Sequence, residues 1–411
     1  MTVPNETYDV AVIGAGAAGL MAAIWIARTD RSRKIVLLDG ASRVGAKILI
    51  AGGGRCNVTH FEVKPDDFCG SSKNAIKKVL SKFNVDKTVP FFEELGVQLK
   101  REETGKLFPV TDSARTVLDG LLNELAKNDV PIWLEHRIES IEKQDNGFNI
   151  TGSWGSLQAT NIVLATGGKS VPKTGSDGLG LQLAKRLGHT LTPRLLPALV
   201  PLTLPDSHPL KQLSGITLET QLEVRETSGK KITSAQGNLL LTHQGISGPV
   251  VLDISRHYLE AQAELGDVQL VANWLPDFTP EQFNAKLLAL GNQHIRKYLK
   301  ELLPKRMAEH LCDSGQITAD ATFSEMTKLV RKNLVKAVAE MDLPISGSRG
   351  FQVAEVTAGG IPLKQIDLKT MQSRECPGLY LCGEICDVDG RIGGFNFQWA
   401  WASGYVAGVS V

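Results

Sequence analysis

The segment from Tyr8 to Asp39 constrains the fold of this chain more than any other. An apolar run, YDVAVIG, enters the turn Gly14-Ala-Gly16-Ala-Ala-Gly19; a long apolar segment follows, and Lys34-Ile-Val-Leu-Leu-Asp39 closes the unit. Strand, glycine turn, helix and second strand in that order make a βαβ unit with the G-x-G-x-x-G spacing of a dinucleotide-binding corner. Gly14 permits the sharp turn out of the strand, Gly16 lets backbone N–H groups approach a pyrophosphate, and Gly19 lets the helix pack closely on the strand. The helix AAGLMAAIWIART, opening at Ala17, points unpaired N–H groups and the positive end of its dipole at the phosphates. Asp39 stands 20 positions after Gly19, where a carboxylate can accept from a ribose 2′-hydroxyl.

A second glycine-rich stretch follows: Gly45-Ala-Lys47-Ile-Leu-Ile-Ala51-Gly52-Gly53-Gly54-Arg55-Cys56-Asn57. A nicotinamide dehydrogenase domain usually runs from its acidic residue directly into further helix and strand, so an additional glycine surface implies a longer cofactor. FAD meets that description. Its nucleotide half sits on the first turn, and its flavin half needs backbone from elsewhere that can lie against a ring. Lys47, Arg55 and Asn57 add hydrogen-bond donors among the glycines.

At 411 residues the chain is long enough for two or three domains. Its 42% hydrophobic and 22% charged residues exclude a disordered or fibrous protein, and a formal net charge of +1 supplies no field to recruit nucleic acid or an anionic membrane. The uncharged run Val10 to Ala27 carries three glycines and no basic segment before it, so it reads as strand, turn and helix rather than as a signal or membrane segment. A soluble, cytoplasmic protein with a small-molecule substrate and no membrane or nucleic-acid partner is expected. The cysteines (56, 69, 312, 376, 382 and 386) are scattered as reduced thiols would be. Cys382 and Cys386 have three residues between them rather than the two of a redox pair, and no histidine cluster suggests a metal site.

The fold class read from this pattern is α/β: a Rossmann-like domain with a parallel sheet, interrupted by a β-barrel-like domain and a helical insertion. Residues 1–190 form its first part. Within them Val130 to Ile138 reads as a strand, a meander follows with its turn at Asp145-Asn-Gly147, and Asn161-Ile-Val-Leu-Ala-Thr166-Gly167-Gly168 reads as a buried strand whose carboxyl end faces the ligand. Residues 191–275 are proline-rich and then β-rich, and 276–343 are helical and polar, with a basic stretch from His294 to Arg306 that reads as a solvated helix face. Residues 344–411 return to the first domain. There Gly383-Glu384 ends a strand, and Gly394-Phe395-Asn396 opens a terminal helix whose N–H groups suit the pyrimidine edge of a flavin.

With these motifs in hand the chain resembles the BaiN-like FAD-dependent oxidoreductases, also described as aminoacetone-oxidase-type FAD-binding enzymes. The resemblance rests on GAGAAG (Gly14 to Gly19), GAKILIAGGGRCNVTH (Gly45 to His60), LATGG (Leu164 to Gly168) and GEICDVDGRIGGFNFQWAWASG (Gly383 to Gly404). It implies that Gly14, Ala17 and Gly19 line the pyrophosphate and Asp39 the adenosine ribose. It further implies that Lys47, Gly54, Arg55, Cys56 and Asn57 approach the flavin, that the backbone of Ile138 meets adenine, and that Gly383, Glu384 and Gly394 to Asn396 frame the isoalloxazine. Asp39 stands where the family more often has Glu, and Ala51 where Ser is frequent.

The function expected is hydride transfer through flavin N5 between a reduced donor and a small organic acceptor or oxygen. Cys56 is the one thiol candidate for catalysis, with no partner cysteine visible. No second strand-G-x-G-x-x-G-helix unit occurs, so NAD(P)H, if it is the reductant, binds transiently at the flavin face. Two alternatives stand beside this: an FAD-containing RNA-associated protein that uses the basic helical stretch, and a C=C reductase or desaturase of a bulky apolar substrate.

Overall fold

Three strands set the position of everything near the glycine turn. In the computed structural model, which describes residues 7–411, Thr7–Ile13 lies between Gly155–Leu164 and Ile35–Leu38, parallel to both. The register pairs Ile13 with Leu164 on one side and with Leu38 on the other. The carboxyl ends of all three strands therefore fall on one level, and Gly14, Ala165 and Asp39 emerge together. This is the edge at which open parallel sheets bind ligands. The apolar character of these strands follows from burial on both faces: Val10, Val12, Val36, Leu37, Ile162 and Val163 have no accessible surface.

The chain divides into two units, Met1–Pro197 with Ala354–Val411, and Ala198–Val353. The first unit carries a nine-stranded sheet whose main path runs Ile366–Asp367, Gln372–Ser373, Leu379–Leu381, Gly155–Leu164, Thr7–Ile13, Ile35–Leu38, Ile132–Trp133. The expected meander is present as Ser140–Gln144 and Gly147–Gly152 leading antiparallel into Gly155–Leu164. The expected long strand from Val130 to Ile138 is not. Only Ile132–Trp133 pairs, because Glu135 turns the chain into the left-handed region at φ 60°. Ile138 thus lies in a connection rather than in a strand.

The helix Phe395–Gly408 returns to the first unit as a core element, with eleven of its fourteen residues buried, which is why its sequence is apolar on all sides. It packs backbone to backbone against the helix Ala17–Thr29. A Cβ added at Gly404 would lie 2.5 Å from the Ala18 carbonyl oxygen, and one at Gly408 2.6 Å from that of Ala22. Gln398, fully buried, ties this helix to its surroundings. Its Oε1 accepts from Thr59 Oγ1 at 2.7 Å and Thr88 Oγ1 at 3.0 Å, and its Nε2 donates to the Phe83 carbonyl at 2.8 Å.

The second unit holds a seven-stranded antiparallel sheet in the order Met341–Leu343, Val268–Asn273, Thr217–Glu226, Lys231–Leu241, Gly245–Ser247, Leu202–Thr203, Gly347–Ser348. Its two edge strands are consecutive in the chain, separated only by residues 344–346. That short link draws the two edges together, so the sheet curls in a barrel-like manner and leaves little edge open. Leu222, Val224 and Leu270 of the sheet share one core with Phe283, Leu299, Leu311 and Leu334 of the helices. The sequence-derived boundary between residues 275 and 276 is crossed by that common core. Among the described residues no helix is long and apolar enough to cross a membrane.

Gln398→Leu should take from the buried Thr59 hydroxyl its short-range acceptor and from the Phe83 carbonyl its side-chain donor, while the Thr88 hydroxyl keeps the Asn84 carbonyl at 3.0 Å, and loss of such buried bonds costs about 1–3 kcal/mol. Chemical denaturation of the variant is expected to show a loss of that size; an unchanged midpoint would mean that the bonds contribute nothing.

Candidate functional site

The glycine turn is shaped by contacts that exclude side chains. A Cβ at Gly19 would lie 1.8 Å from the Gly14 carbonyl oxygen, and one at Gly14, where φ is +106°, would lie 2.5 Å from the carbonyl oxygen of Ala165. Gly16 differs from both: a Cβ there would meet nothing within 4 Å. Two glycines are therefore demanded by the fold, while the third borders open space. The helix that follows has Gly16 as its N-cap, no side-chain cap and no acidic residue in its first turn, so its leading N–H groups are available to an anion.

Asp39 is fixed beside this turn by two backbone donors. Ala15 N–H reaches Oδ2 at 2.6 Å and Ala41 N–H reaches Oδ1 at 2.7 Å. Burial raises its pKa above the ordinary carboxylate value, and these two bonds act in the opposite direction. Each oxygen retains a further lone pair for a ribose hydroxyl. Ile138 is buried in the connection that precedes the meander, and Gly40, next to Asp39, approaches the neighbouring Arg137 so closely that a Cβ would lie 3.1 Å from the Arg137 Cβ.

Beyond the first strand, Thr166 and Gly167 follow Leu164 at the same sheet edge. Gly167 has φ +74°, and a Cβ there would strike Ser176 Oγ at 2.5 Å. Thr166 Oγ1 is a buried hydroxyl with no partner among the described residues, and so is the buried amide oxygen Asn57 Oδ1. Thr166 Oγ1 lies against the next helix, where a Cβ at Gly180 would come within 1.7 Å of it, whereas Asn57 Oδ1 sits beside the second glycine stretch, where a polar ligand would supply the missing partner.

The second glycine stretch forms a helix, Ala46–Gly54, broken at Ala51, Gly52 and Gly53; Ala51 has ψ 143°, and both glycines are left-handed. A Cβ at Gly53 would meet nothing within 4 Å, and one at Gly54 only Leu49 O at 3.8 Å. Such exposed glycine backbone can lie flat against a ring. Lys47, on the intact part of this helix, donates to Ser170 Oγ at 2.8 Å and to Glu384 Oε2 at 2.9 Å. The other Glu384 oxygen accepts from Ser170 Oγ at 2.7 Å and from the Thr357 N–H at 3.0 Å. Thr357 Oγ1 in turn accepts from the N–H groups of Lys169 and Ser170 at 2.8 and 3.1 Å. Four distant segments thus meet around one carboxylate. Lys47 and Glu384 were foreseen as site residues; Ser170 and Thr357 were not, and only the LATGG signal next to Ser170 pointed there.

Gly383 (φ +79°) abuts Ala18, where a Cβ would lie 2.7 Å from the Ala18 Cβ. Gly394, at φ +93°, lies so close to Thr59 that a Cβ there would be 2.7 Å from the Thr59 carbonyl carbon, and it caps the terminal helix, which has no side-chain cap. Phe395 is buried and stacks on His60 at 5.0 Å. Asn396 closes the turn before it, exchanging two 2.8 Å bonds with the backbone of Gly390.

Cys56 has a buried thiol whose pKa burial pushes up to about 12. The same cause takes Cys382 to about 12 and Cys386 well above its ordinary value. At neutral pH these thiols are protonated, and the thiolate is the reactive form. The Arg55 guanidinium pairs with Glu102 at 2.6 Å and lies on the Phe108 ring.

Gly16 with open space at its side-chain position, the Asp39 carboxylate, the unpartnered Asn57 oxygen and the exposed glycine break therefore fit a dinucleotide. A Rossmann-like parallel sheet with this cradle defines a flavin-dependent oxidoreductase. A model of the HI0933-like protein Rossmann domain matches residues 8–410, and the chain belongs to that family. The 3-dehydro-bile acid delta(4,6)-reductase of Clostridium scindens is 34% identical over 404 residues, covering 97% of this chain and 98% of the relative. The ribosomal RNA dihydrouridine synthase of Escherichia coli is 32% identical over 402 residues, covering 97% of each. Among solved structures, the 3-ketosteroid delta1-dehydrogenase of Sterolibacterium denitrificans is similar over 98% of both chains at 14% identity with a TM-score of 0.50. The E. coli quinol fumarate reductase FrdA is similar over 98% of this chain and 69% of its own at 15% identity and a TM-score of 0.52. These two show the same fold. The protein is an FAD-dependent oxidoreductase.

In flavin-free protein Gly16→Val should leave thermal stability within about 1 °C of the flavin-free wild type, because nothing occupies its side-chain space, while the variant purifies with little bound flavin; Gly19→Val should instead destabilise the flavin-free fold itself. Flavin content of the purified variants and melting temperature of their flavin-free forms separate the two roles, and loss of stability in both flavin-free variants would contradict the assignment. Iodoacetamide near pH 8 is expected to leave Cys56, Cys382 and Cys386 unmodified in folded protein and to label them in denaturant. Peptide mass spectrometry reads the outcome, and labelling of native Cys56 would show an accessible thiolate.

Proposed function

We propose that this enzyme is an FAD-dependent reductase of a carbon–carbon double bond conjugated to a carbonyl group. The observation that carries the reading is the full-length likeness to two relatives whose names describe reduction of such a bond, 34% and 32% identical over 97% of this chain. The burial of Cys56, Cys382 and Cys386 is in keeping with it, since a dithiol relay would need an accessible thiolate. FAD, when bound, supplies hydride chemistry at N5.

The protein's own part is binding, orientation and charge. Gly14, Gly16, Ala17 and Gly19 receive the pyrophosphate at the helix N-terminus, Asp39 takes the adenosine ribose, and the backbone around Ile138 faces adenine. Thr166 and Gly167 line the middle of the cofactor. Gly54, Asn57, Gly383 and the turn Gly394-Phe395-Asn396 surround the ring, with Cys56 enclosed behind them and the terminal helix N–H groups stabilising negative charge on the ring. Lys47 and Glu384 form an ion pair at the flavin end, locked by Ser170 and Thr357, that fixes the local charge distribution.

The names of the two relatives support this class of substrate. One describes reduction at positions 4 and 6 of a 3-dehydro bile acid, and the other describes formation of dihydrouridine in ribosomal RNA. A 3-keto steroid with unsaturation at those positions and the uracil ring both place a C=C beside a carbonyl. NAD(P)H is the proposed reductant, binding transiently in the absence of a second dinucleotide unit.

The test begins with anaerobic reduction of the purified holoenzyme by NADH or NADPH. Reduced enzyme is then mixed separately with a 3-keto-4,6-diene steroid and with unmodified ribosomal RNA. Reoxidation of the flavin by one of them, with a product heavier by two hydrogens, is expected. Reoxidation by oxygen alone, with neither acceptor reduced, would make the enzyme an oxidase instead.

A further inference from the structure

The guanidinium of Arg55 belongs to a dock rather than to the glycine break that precedes it. It lies 4.0 Å from the centroid of the Phe108 ring, donates to Glu102 at 2.6 Å and faces Asp112 at 3.7 Å. Asp112 also pairs with Lys100 on the neighbouring strand. Phe108 meets the break itself, since a Cβ at Gly52 would lie 3.1 Å from its ring. One residue further, Val58 N–H donates to the Leu107 carbonyl at 2.9 Å, and Thr59 pairs with Leu107 in the strand register. The segment 52–59 is therefore fastened to the strand Lys106–Pro109 by a ring, a charge cluster and backbone bonds.

Three consecutive left-handed glycines, at φ 58°, 68° and 86°, have a wide choice of conformations. The Ala51 carbonyl closes the loop by accepting from the N–H groups of Arg55 and Cys56, but the glycine peptides between have no side chains to fix them. A single ion pair between side chains 40% and 34% exposed would contribute little. A planar guanidinium engaged at once by an aromatic face and two carboxylates is more strongly fixed. We infer that Arg55 is a positioning residue: it holds Gly52-Gly53-Gly54 in the shape that receives the isoalloxazine end of the cofactor, and it acts through Phe108, Glu102 and Asp112 without touching the cofactor. This rests on the FAD reading above and assigns Arg55 a different role from that of its neighbours in the motif.

The experiment titrates deflavinated protein with FAD and, separately, with ADP, which probes only the first glycine turn. Arg55→Gln should weaken FAD about three- to tenfold and leave ADP unchanged, in keeping with the modest size of exposed charge and cation–π interactions. Glu102→Gln combined with Asp112→Asn should do the same, and joining all three substitutions should add nothing further. FAD weakened by Arg55→Gln but not by the partner variant would show direct contact with the cofactor and overturn the inference. So would unchanged FAD affinity in both, or an equal loss of ADP, which would mark a general stabiliser. Failure of the wild-type protein to bind FAD contradicts the cofactor reading instead, and appears before any variant is made.

Discussion

The rest of the structure depends on a backbone contact at the turn after the first strand. The Gly14 carbonyl oxygen occupies the space that a side chain at Gly19 would need, and the Ala165 carbonyl occupies the space for one at Gly14. Strand, helix and the third strand can approach to this distance only where no Cβ intervenes. The approach aligns the ends of three parallel strands, and with them the helix N-terminus, the Asp39 carboxylate and the Thr166 hydroxyl. The terminal helix repeats the device at Gly404 and Gly408 against the first helix. Close packing of main chain against main chain thus builds the cradle, and side chains decorate it.

Most of that cradle was legible in the sequence because it is local. The turn, its helix and the acid after the second strand lie within Tyr8 to Asp39, where spacing alone dictates geometry. The meander turn was legible for the same reason, since Gly147 takes a positive φ of 138° between two alternating strands. The return to the first domain, expected from residue 344, begins at Ala354, because Gly347–Ser348 still pairs in the second unit's sheet.

What the sequence hid was tertiary or conformational. Ser170 and Thr357 reach Glu384 from segments 214 and 27 residues away, and Lys47 reaches it from 337 away. No local pattern encodes such a meeting. The Val130 to Ile138 stretch carries β-branched and aromatic residues, but a left-handed Glu135 ends the pairing early, and that backbone choice has no side-chain signature. Cys56 looked available beside a flavin because a string of letters does not show burial; the structure encloses its thiol and keeps it protonated. The two parts of the inserted unit looked separate because one is strand-like and the other helical, yet they fill a single core.

The division of labour that results is simple. Backbone N–H groups and glycine surfaces line the proposed path of the cofactor, while the charged side chains beside it are committed to one another, Lys47 to Glu384 and Arg55 to Glu102. The claim at the centre is that one cofactor spans both glycine stretches, and comparing FAD with FMN on deflavinated wild-type protein tests it most directly. The account predicts one FAD bound per chain, displaced by excess ADP, and no comparable binding of FMN, which lacks the adenosine half. Equal binding of FMN and FAD, or FAD binding indifferent to ADP, would contradict it.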